Sequence, residues 1–156
     1  MTNRLPAVID TNVLVALIDD RDKWHSRAVA VRDAVLKAGT NIVYLDCVVN
    51  ESISVMARRV EEKKQAGRFA PLLDSLFVSI KPDDITWISR ESRRPFSQIV
   101  AICRGSDGAL NFHDALIALA SRELGIRHLL SFDEDFDDLS WLVRVGAPEE
   151  AAAIGS

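Results

Sequence analysis

Val8-Ile9-Asp10-Thr11-Asn12-Val13-Leu14 is the stretch on which the fold turns. The apolar run leading into it, Leu5 to Ile9 interrupted only by Pro6, has the length and composition of a short buried strand. The run stops at a carboxylate. After Thr11 and Asn12 the apolar pattern resumes through Val13-Leu14-Val15-Ala16-Leu17-Ile18, which is compatible with a helix. Open α/β sheets gather their ligands in the crevice outside the carboxyl ends of the strands, and an acid between a strand and a helix sits there. Three later acids, Glu51, Asp114 and Asp133, fall in comparable settings.

Working outward, the chain alternates strand and helix. Asp19-Asp20-Arg21-Asp22 is a polar break, and Asp22-Lys23-Trp24-His25 opens a long segment with Ala28, Val31, Val35 and Leu36 at helical spacing, stopped by Gly39. Asn41–Leu45 reads as a second strand, and Asp46 as a cap for the helix after it. Val49, Ile53, Met56 and Val60 mark one face of that helix, running to Lys64, with Glu51 in its first turn. Phe69, Leu72, Leu73 and Leu76 suggest a short helix, Phe77–Ile80 a third strand, and Asp83-Asp84 the start of a helix through Ile85, Trp87 and Ile88. Gln98–Cys103 suits strand or helix equally. The alanine-rich run after Asp114 is strongly helical to near Gly125. Arg127–Ser131 reads as a fourth strand and Trp141–Val145 as a short last one. The expectation is one domain over residues 1–146, a largely parallel sheet with helices on both faces, and a fraying tail over 147–156.

Composition bounds the function. At 156 residues, 48% hydrophobic and 27% charged, the chain has the makeup of a soluble globular domain with a sizeable core. Its apolar runs are too short to span a bilayer. Met1-Thr2-Asn3-Arg4 leaves no room for a signal peptide, and Cys47 and Cys103 make no disulfide framework, so a cytoplasmic protein is expected. A net charge of −4 argues against a nucleic-acid binder held by bulk charge, while leaving room for a local basic surface beside an acidic pocket.

Each acid has a local role open to it. Asp10 and Asp114 could cap helices, Glu51 could complement a helix dipole, and Asp133 could serve a turn. As a set they share strand ends and helix starts, which lie along one edge of a doubly wound sheet. Two carboxylates about 5 Å apart repel by roughly 3 kcal/mol at an effective dielectric of about 20. A cation between them relieves that cost. An oxygen-only cluster suits Mg²⁺ or Mn²⁺, ions that stabilise charge on a transferring phosphoryl group, so the chemistry indicated is metal-dependent phosphodiester hydrolysis. Thr11, Asn12 and Ser131 would orient the acids. An aspartate-nucleophile phosphatase would also use Asp10, but it needs a second aspartate at position 12, where Asn12 stands. His25 and His128 have no ligand-spaced partners, which argues against zinc. His113 reads as structural or solvated, and Cys47 as a packing residue.

The chain resembles the PIN domain family. The residues that carry the resemblance are Val8-Ile9-Asp10-Thr11-Asn12-Val13-Leu14, Glu51, Leu110-Asn111-Phe112-His113-Asp114-Ala115-Leu116-Ile117-Ala118, and Ser131-Phe132-Asp133-Glu134-Asp135-Phe136. Within the family it is similar to the ribonuclease toxins of VapBC-type bacterial toxin–antitoxin pairs, over residues 6–145. The resemblance implies a three-layer α/β/α sandwich around a mainly parallel sheet of about five strands. It implies a Mg²⁺- or Mn²⁺-dependent endoribonuclease, with RNA as substrate, a cognate antitoxin as partner and a homodimer as assembly. Asp10, Glu51 and Asp114 match the family's principal acids and Asp133 its more variable fourth. Thr11 or Asn12 and Ser131 match the supporting polar positions, with serine where threonine is commoner.

Asp135 competes with Asp133 for the fourth role, and Asp133 is favoured because it comes sooner after the strand. The region 81–105 is longer and more basic than in compact members. Two basic groups could guide RNA: Arg58, Arg59, Lys63, Lys64 and Arg68, diluted by Glu61 and Glu62, and a looser set from which Arg93, Arg94 and Arg104 are the candidate phosphate contacts. The alternatives to a toxin are a PIN nuclease of RNA processing and a non-catalytic binding module on the same fold.

Overall fold

Residues 5–88 and 96–155 are described by the structure, a computed structural model. The opening run forms β1 (Pro6–Ile9), in which Ala7, Val8 and Ile9 are completely buried. Such a strand needs a neighbour on each side, and β1 has two. β2 (Asn41–Leu45) pairs with it in parallel, Ala7 opposite Ile42 and Val8 opposite Val43. β4 (His128–Leu130) flanks it on the other side, Ala7 opposite His128 and Ile9 opposite Leu130. β3 (Ile85–Thr86) and β5 (Val143–Val145) complete a five-stranded parallel sheet in the order β3-β2-β1-β4-β5.

Among the described residues, six helices pack around the sheet: α1 (Thr11–Ile18), α2 (His25–Lys37), α3 (Asp46–Glu62), α4 (Phe69–Ser79), α5 (Phe96–Gly105) and α6 (Phe112–Glu123). The result is an α/β/α sandwich. Its core includes Leu14, Met56, Ile99, Ile117, Leu119, Leu129 and Phe136, none of them more than 2% exposed. No described helix is long and apolar enough to cross a membrane.

Four local expectations are corrected. Phe77–Ser79 is not a strand but the last turn of α4. Leu72, Leu76 and Ile80 are buried four residues apart while Phe77 and Val78 face outward, so the helical period continues to the end of the segment. The third strand lies later, at Ile85–Thr86, in place of the expected helix. Only one 3₁₀ turn forms there, Pro82–Asp84, closed by the Lys81 amide donating to the Asp84 carboxylate at 3.0 Å, and the β-branched pair then adds to the sheet edge beside Tyr44 and Leu45. Gln98–Cys103, open between strand and helix, is helical, with Ile99 fully buried.

The third correction concerns α3, which Asp46 opens from inside the helix instead of capping from outside it, so Glu51 stands in its second turn and not its first. Asp46 is the first helical residue, and its carboxylate accepts from the Ile88 amide at 3.0 Å. The fourth is the tail. Pro148–Gly155 forms a 3₁₀ helix against α2, with Ala151 and Ile154 buried. The Gly146 and Ala147 amides donate to Glu150, at 2.7 and 3.1 Å, and Arg27 donates to the Gly146 carbonyl at 2.7 Å. Those bonds and two buried apolar residues outweigh the fraying tendency of a chain end.

The chain winds from β1 outward through β2 to β3, then returns to place β4 and β5 on the opposite side. Its direction therefore reverses at β1, and a crevice opens outside the carboxyl ends of β1 and β4.

Candidate active site

Asp10 ends β1 and sits in that crevice. Its backbone amide donates to the Leu130 carbonyl at 2.8 Å, extending the ladder to β4 by one bond, and its carbonyl accepts from Leu14 as α1 begins. The side chain is only 4% exposed. Oδ1 accepts from the Thr11 amide at 2.7 Å and Oδ2 from the Ser131 hydroxyl at 2.6 Å. Asp10 is thus the N-cap of α1, as its local role allowed, and also a bridge across the switch point of the sheet.

Ser131 is the hub of that bridge. It is fully buried just past β4. Its hydroxyl donates to Asp10 and accepts from the Asp133 amide at 3.0 Å and, at a longer 3.4 Å, from the Asn12 side-chain amide. Asn12 also accepts from the Phe132 amide at 3.2 Å, which fastens the loop after β4 to the first turn of α1. Thr11 turns the other way and donates its hydroxyl to Glu51 Oε2 at 2.7 Å, joining α1 to α3. The three short polar side chains therefore each tie one element of the crevice to another.

Asp114 lies within the first turn of α6, since the helix begins two residues earlier at Phe112. Asn111 is its N-cap: the Asn111 side chain accepts from the Asp114 amide at 3.1 Å, and Asp114 Oδ2 accepts from the Asn111 amide at 2.9 Å. Asp133 caps a 3₁₀ helix, Glu134–Asp138, accepting from the Asp135 amide at 3.0 Å.

Asp10, Glu51, Asp114 and Asp133, with Thr11 and Asn12, line one cavity of about 200 Å³ whose rim includes Arg58 and Arg59. The carboxylates feel one another. Burial pushes the Asp10 pKa up to about 7, against the Ser131 and Thr11 bonds that favour its charge, and the negative charges of Asp114 and Glu51 push the same way. Asp114 is likewise raised, chiefly by burial and further by Asp133 and Glu51, while the Asn111 amide and His113 oppose the rise. Among the described residues, none of the four acids has an ion-pair partner.

The four acids are thus left without a paired cation among the described residues although Arg58 and Arg59 line the same cavity, and with an oxygen-only donor set those properties fit a hard divalent cation. It is not a closed cage: among the described residues, no three acid, histidine or cysteine side chains converge closely enough to form one. Mg²⁺ keeps several of its waters and commonly binds through one or two carboxylates, so a lined cavity suits it.

The remaining candidates separate. Asp135 is exposed and lies outside the cavity lining. His113 is exposed, with its ring edge-on to Phe112. Arg104 is exposed at the end of α5, and Arg93 and Arg94 lie outside the described residues. Of the other basic group, Arg58 and Arg59 reach the acid cavity, Lys63 lines the groove next to it, and Arg68 is held by Asp19 at 3.1 Å and Asp20 at 3.3 Å. The adjoining groove, about 660 Å³, also recruits Arg21, Lys23, Trp24 and Phe132. Sequence reasoning missed those four, although a tryptophan next to a lysine in a charged, polar break was the signal available.

The sequence matches the PIN domain family over residues 7–142. Among solved structures, the fold is similar to the crystal structure of VapC20 of Mycobacterium tuberculosis, a sarcin-ricin loop cleaving toxin. The TM-score is 0.64 at 17% identity, over 89% of this chain and 98% of that one. Among curated protein sequences, none matches.

Proposed function

The chain belongs to the PIN domain family, and from that premise we propose that it is a Mg²⁺- or Mn²⁺-dependent endoribonuclease, the toxin of a type II toxin–antitoxin pair. The observation that carries the nuclease is the shared cavity of Asp10, Glu51, Asp114 and Asp133, in which a buried carboxylate has no cationic partner among the described residues. The toxin part draws support from the fold shared with VapC20, itself a toxin. A cognate antitoxin, a homodimer and a cytoplasmic place of action belong to the same proposal, as does a single nuclease domain over residues 1–146.

The four acids would hold the ion, which when bound supplies a Lewis acid for the phosphate and lowers the pKa of water. The chain's own residues do the positioning. Ser131 fixes one oxygen of Asp10 and the Thr11 amide the other. The Thr11 hydroxyl fixes Glu51, and the Asn111 amide holds one oxygen of Asp114. Side chains so restrained lose little further freedom when the site is loaded. Because the nucleophile is external water and not the RNA's own 2′-hydroxyl, the expected products carry a 5′-phosphate and a 3′-hydroxyl.

The test is cleavage of end-labelled RNA with Mg²⁺, with Mn²⁺ and with EDTA. Activity that survives EDTA, or products ending in a 2′,3′-cyclic phosphate, would contradict the mechanism. For the toxin, induced expression should arrest growth and Asp10→Ala should release it. A protein that cleaves RNA but leaves growth untouched is a PIN nuclease of RNA processing instead.

A further inference from the structure

Resting on the ribonuclease reading, we propose that the groove beside the acid cavity seats an unpaired RNA nucleotide, its base stacked on Trp24 and its phosphates met by Arg21, Lys23 and Lys63. The groove and the acid cavity are continuous, since Asn12, Arg59 and Asp133 line both. Whatever the acids act on therefore extends into the groove or leaves through it.

The groove's chemistry selects the occupant. Four cations, Arg21, Lys23, Arg59 and Lys63, face two carboxylates, Asp22 and Asp133. Asp22 is consumed locally: one oxygen binds Arg59 at 2.6 Å and the other accepts from the Trp24 amide at 2.8 Å. Among the described residues, Arg21, Lys23 and Lys63 form no ion pairs, so they are available to an anion. In a chain of net charge −4, a locally positive channel leading to a negative pocket is the arrangement a polyanion with a metal-coordinated scissile phosphate requires.

The aromatic wall is built to keep its shape. Trp24 is 39% exposed, and its ring lies 5.6 Å from that of Phe132 at a 37° tilt. The Arg27 guanidinium stands 5.3 Å from the Trp24 ring centre and 5.0 Å from that of Phe132, and Arg27 is itself anchored to the Gly146 carbonyl. Phe132 is tied through its amide to Asn12, and Asn12 through Ser131 to Asp10. Lys23 Nζ lies 5.2 Å from the Trp24 ring, on a flexible stem that can exchange the ring for a phosphate. A restrained, exposed indole among free cations is the combination that binds single-stranded nucleic acid, by stacking plus charge. A base paired within a duplex already has both faces stacked, so the groove would select unpaired RNA, with little preference for which base it holds.

The experiment measures binding of a fluorescently labelled mixed-sequence RNA 10-mer, and of the same strand in a duplex, by anisotropy with Mg²⁺ present. An Asp114→Asn background stops cleavage during the measurement. Trp24→Ala should weaken single-strand binding about ten-fold or more, while Trp24→Phe should stay within about three-fold of the parent. RNA should quench tryptophan emission in the parent and not in Trp24→Phe. Lys63→Ala, an exposed change that leaves the fold alone, should lower the slope of log affinity against log salt by about one. Equal affinity in Trp24→Ala and the parent, or duplex bound as tightly as single strand, overturns the proposal, and no RNA binding at all overturns it and leaves the groove to a protein partner. Cleavage by the wild-type protein is scored separately. If it cleaves and Trp24 proves irrelevant, the groove fails and the nuclease stands. If RNA binding depends on Trp24 but no metal supports cleavage, the reverse holds.

Discussion

The acid cavity and the groove beside it share three residues and are built on opposite plans. The cavity takes its side chains from the end of β1, the body of α3, the first turn of α6 and the loop after β4, and short hydrogen-bonding neighbours hold its carboxylate oxygens. The groove takes its side chains from the loop between α1 and α2, from Lys63 past the end of α3 and from Phe132, and its free cations end long flexible stems. A metal site needs oxygens placed to a fraction of an ångström, which regular structure and hydrogen bonds supply. A nucleic-acid channel tolerates looser positioning, because charge acts at a distance and stacking accepts any base.

Mutations test that contrast. The largest effect is expected from Asp10→Ala, which should lower RNA cleavage at least about a thousand-fold, a loss of about 4 kcal/mol of transition-state stabilisation, while RNA binding in the groove changes little. Loss of both together would merge the two regions into one.

Next comes the stability cost of the cavity. Burial raises Asp10 from 3.8 to about 7. The folded state therefore holds its proton more tightly than the unfolded state. The site imposes no penalty below about pH 4, a growing one up to pH 7 and a full one above, amounting to as much as about 4 kcal/mol. Metal-free Asp10→Asn should melt higher than the metal-free wild type at pH 8 and at the same temperature at pH 4. Saturating Mn²⁺ should narrow the gap at pH 8. A gap that is the same at both pH values would mean that the carboxylate is not carrying an uncompensated charge.

Ser131→Ala should weaken Mn²⁺ binding, measured calorimetrically, by about ten- to a hundred-fold, because Asp10 loses its 2.6 Å partner and Asp133 loses the acceptor for its amide. Ser131→Thr should retain most of the affinity. The smallest effect is expected in the groove wall. Asp22→Ala frees Arg59 but also loosens the Trp24 amide, so a gain in positive charge opposes a loss of order in the wall, and RNA affinity should change by no more than about three-fold with Mn²⁺ affinity unchanged. A Mn²⁺ response to Asp22→Ala would show that the wall positions the acids as well.

The parts of the molecule legible in the sequence share a physical basis. Asp10 can be found because an apolar run stops at an acid and restarts as a helix, and Asp114 because an alanine-rich run succeeds it. Both signals are local and strong. The segment 77–88 misleads because Phe77-Val78-Ser79-Ile80 has β-forming composition, yet Ile80 completes a buried row with Leu72 and Leu76. Composition loses there to packing. The alanine-rich end has the composition of a fraying tail, and it docks because α2 offers Ala151 and Ile154 a surface that no local pattern reveals.

What the sequence by itself determined is the list of parts: a parallel α/β domain, the PIN family to which it belongs, and four candidate acids spaced along the chain. What only the tertiary structure decided is how those parts meet: the return of the chain past β1 that sets Ser131 against Asp10, the Thr11 bond that brings in Glu51 forty residues away, and the Trp24–Phe132 wall facing the groove. Periodicity and caps are properties of neighbouring residues, so they can be read along the chain. Desolvation of a carboxylate, the repulsion between four of them and the pairing of two rings depend on distances in space, which the order of residues does not state.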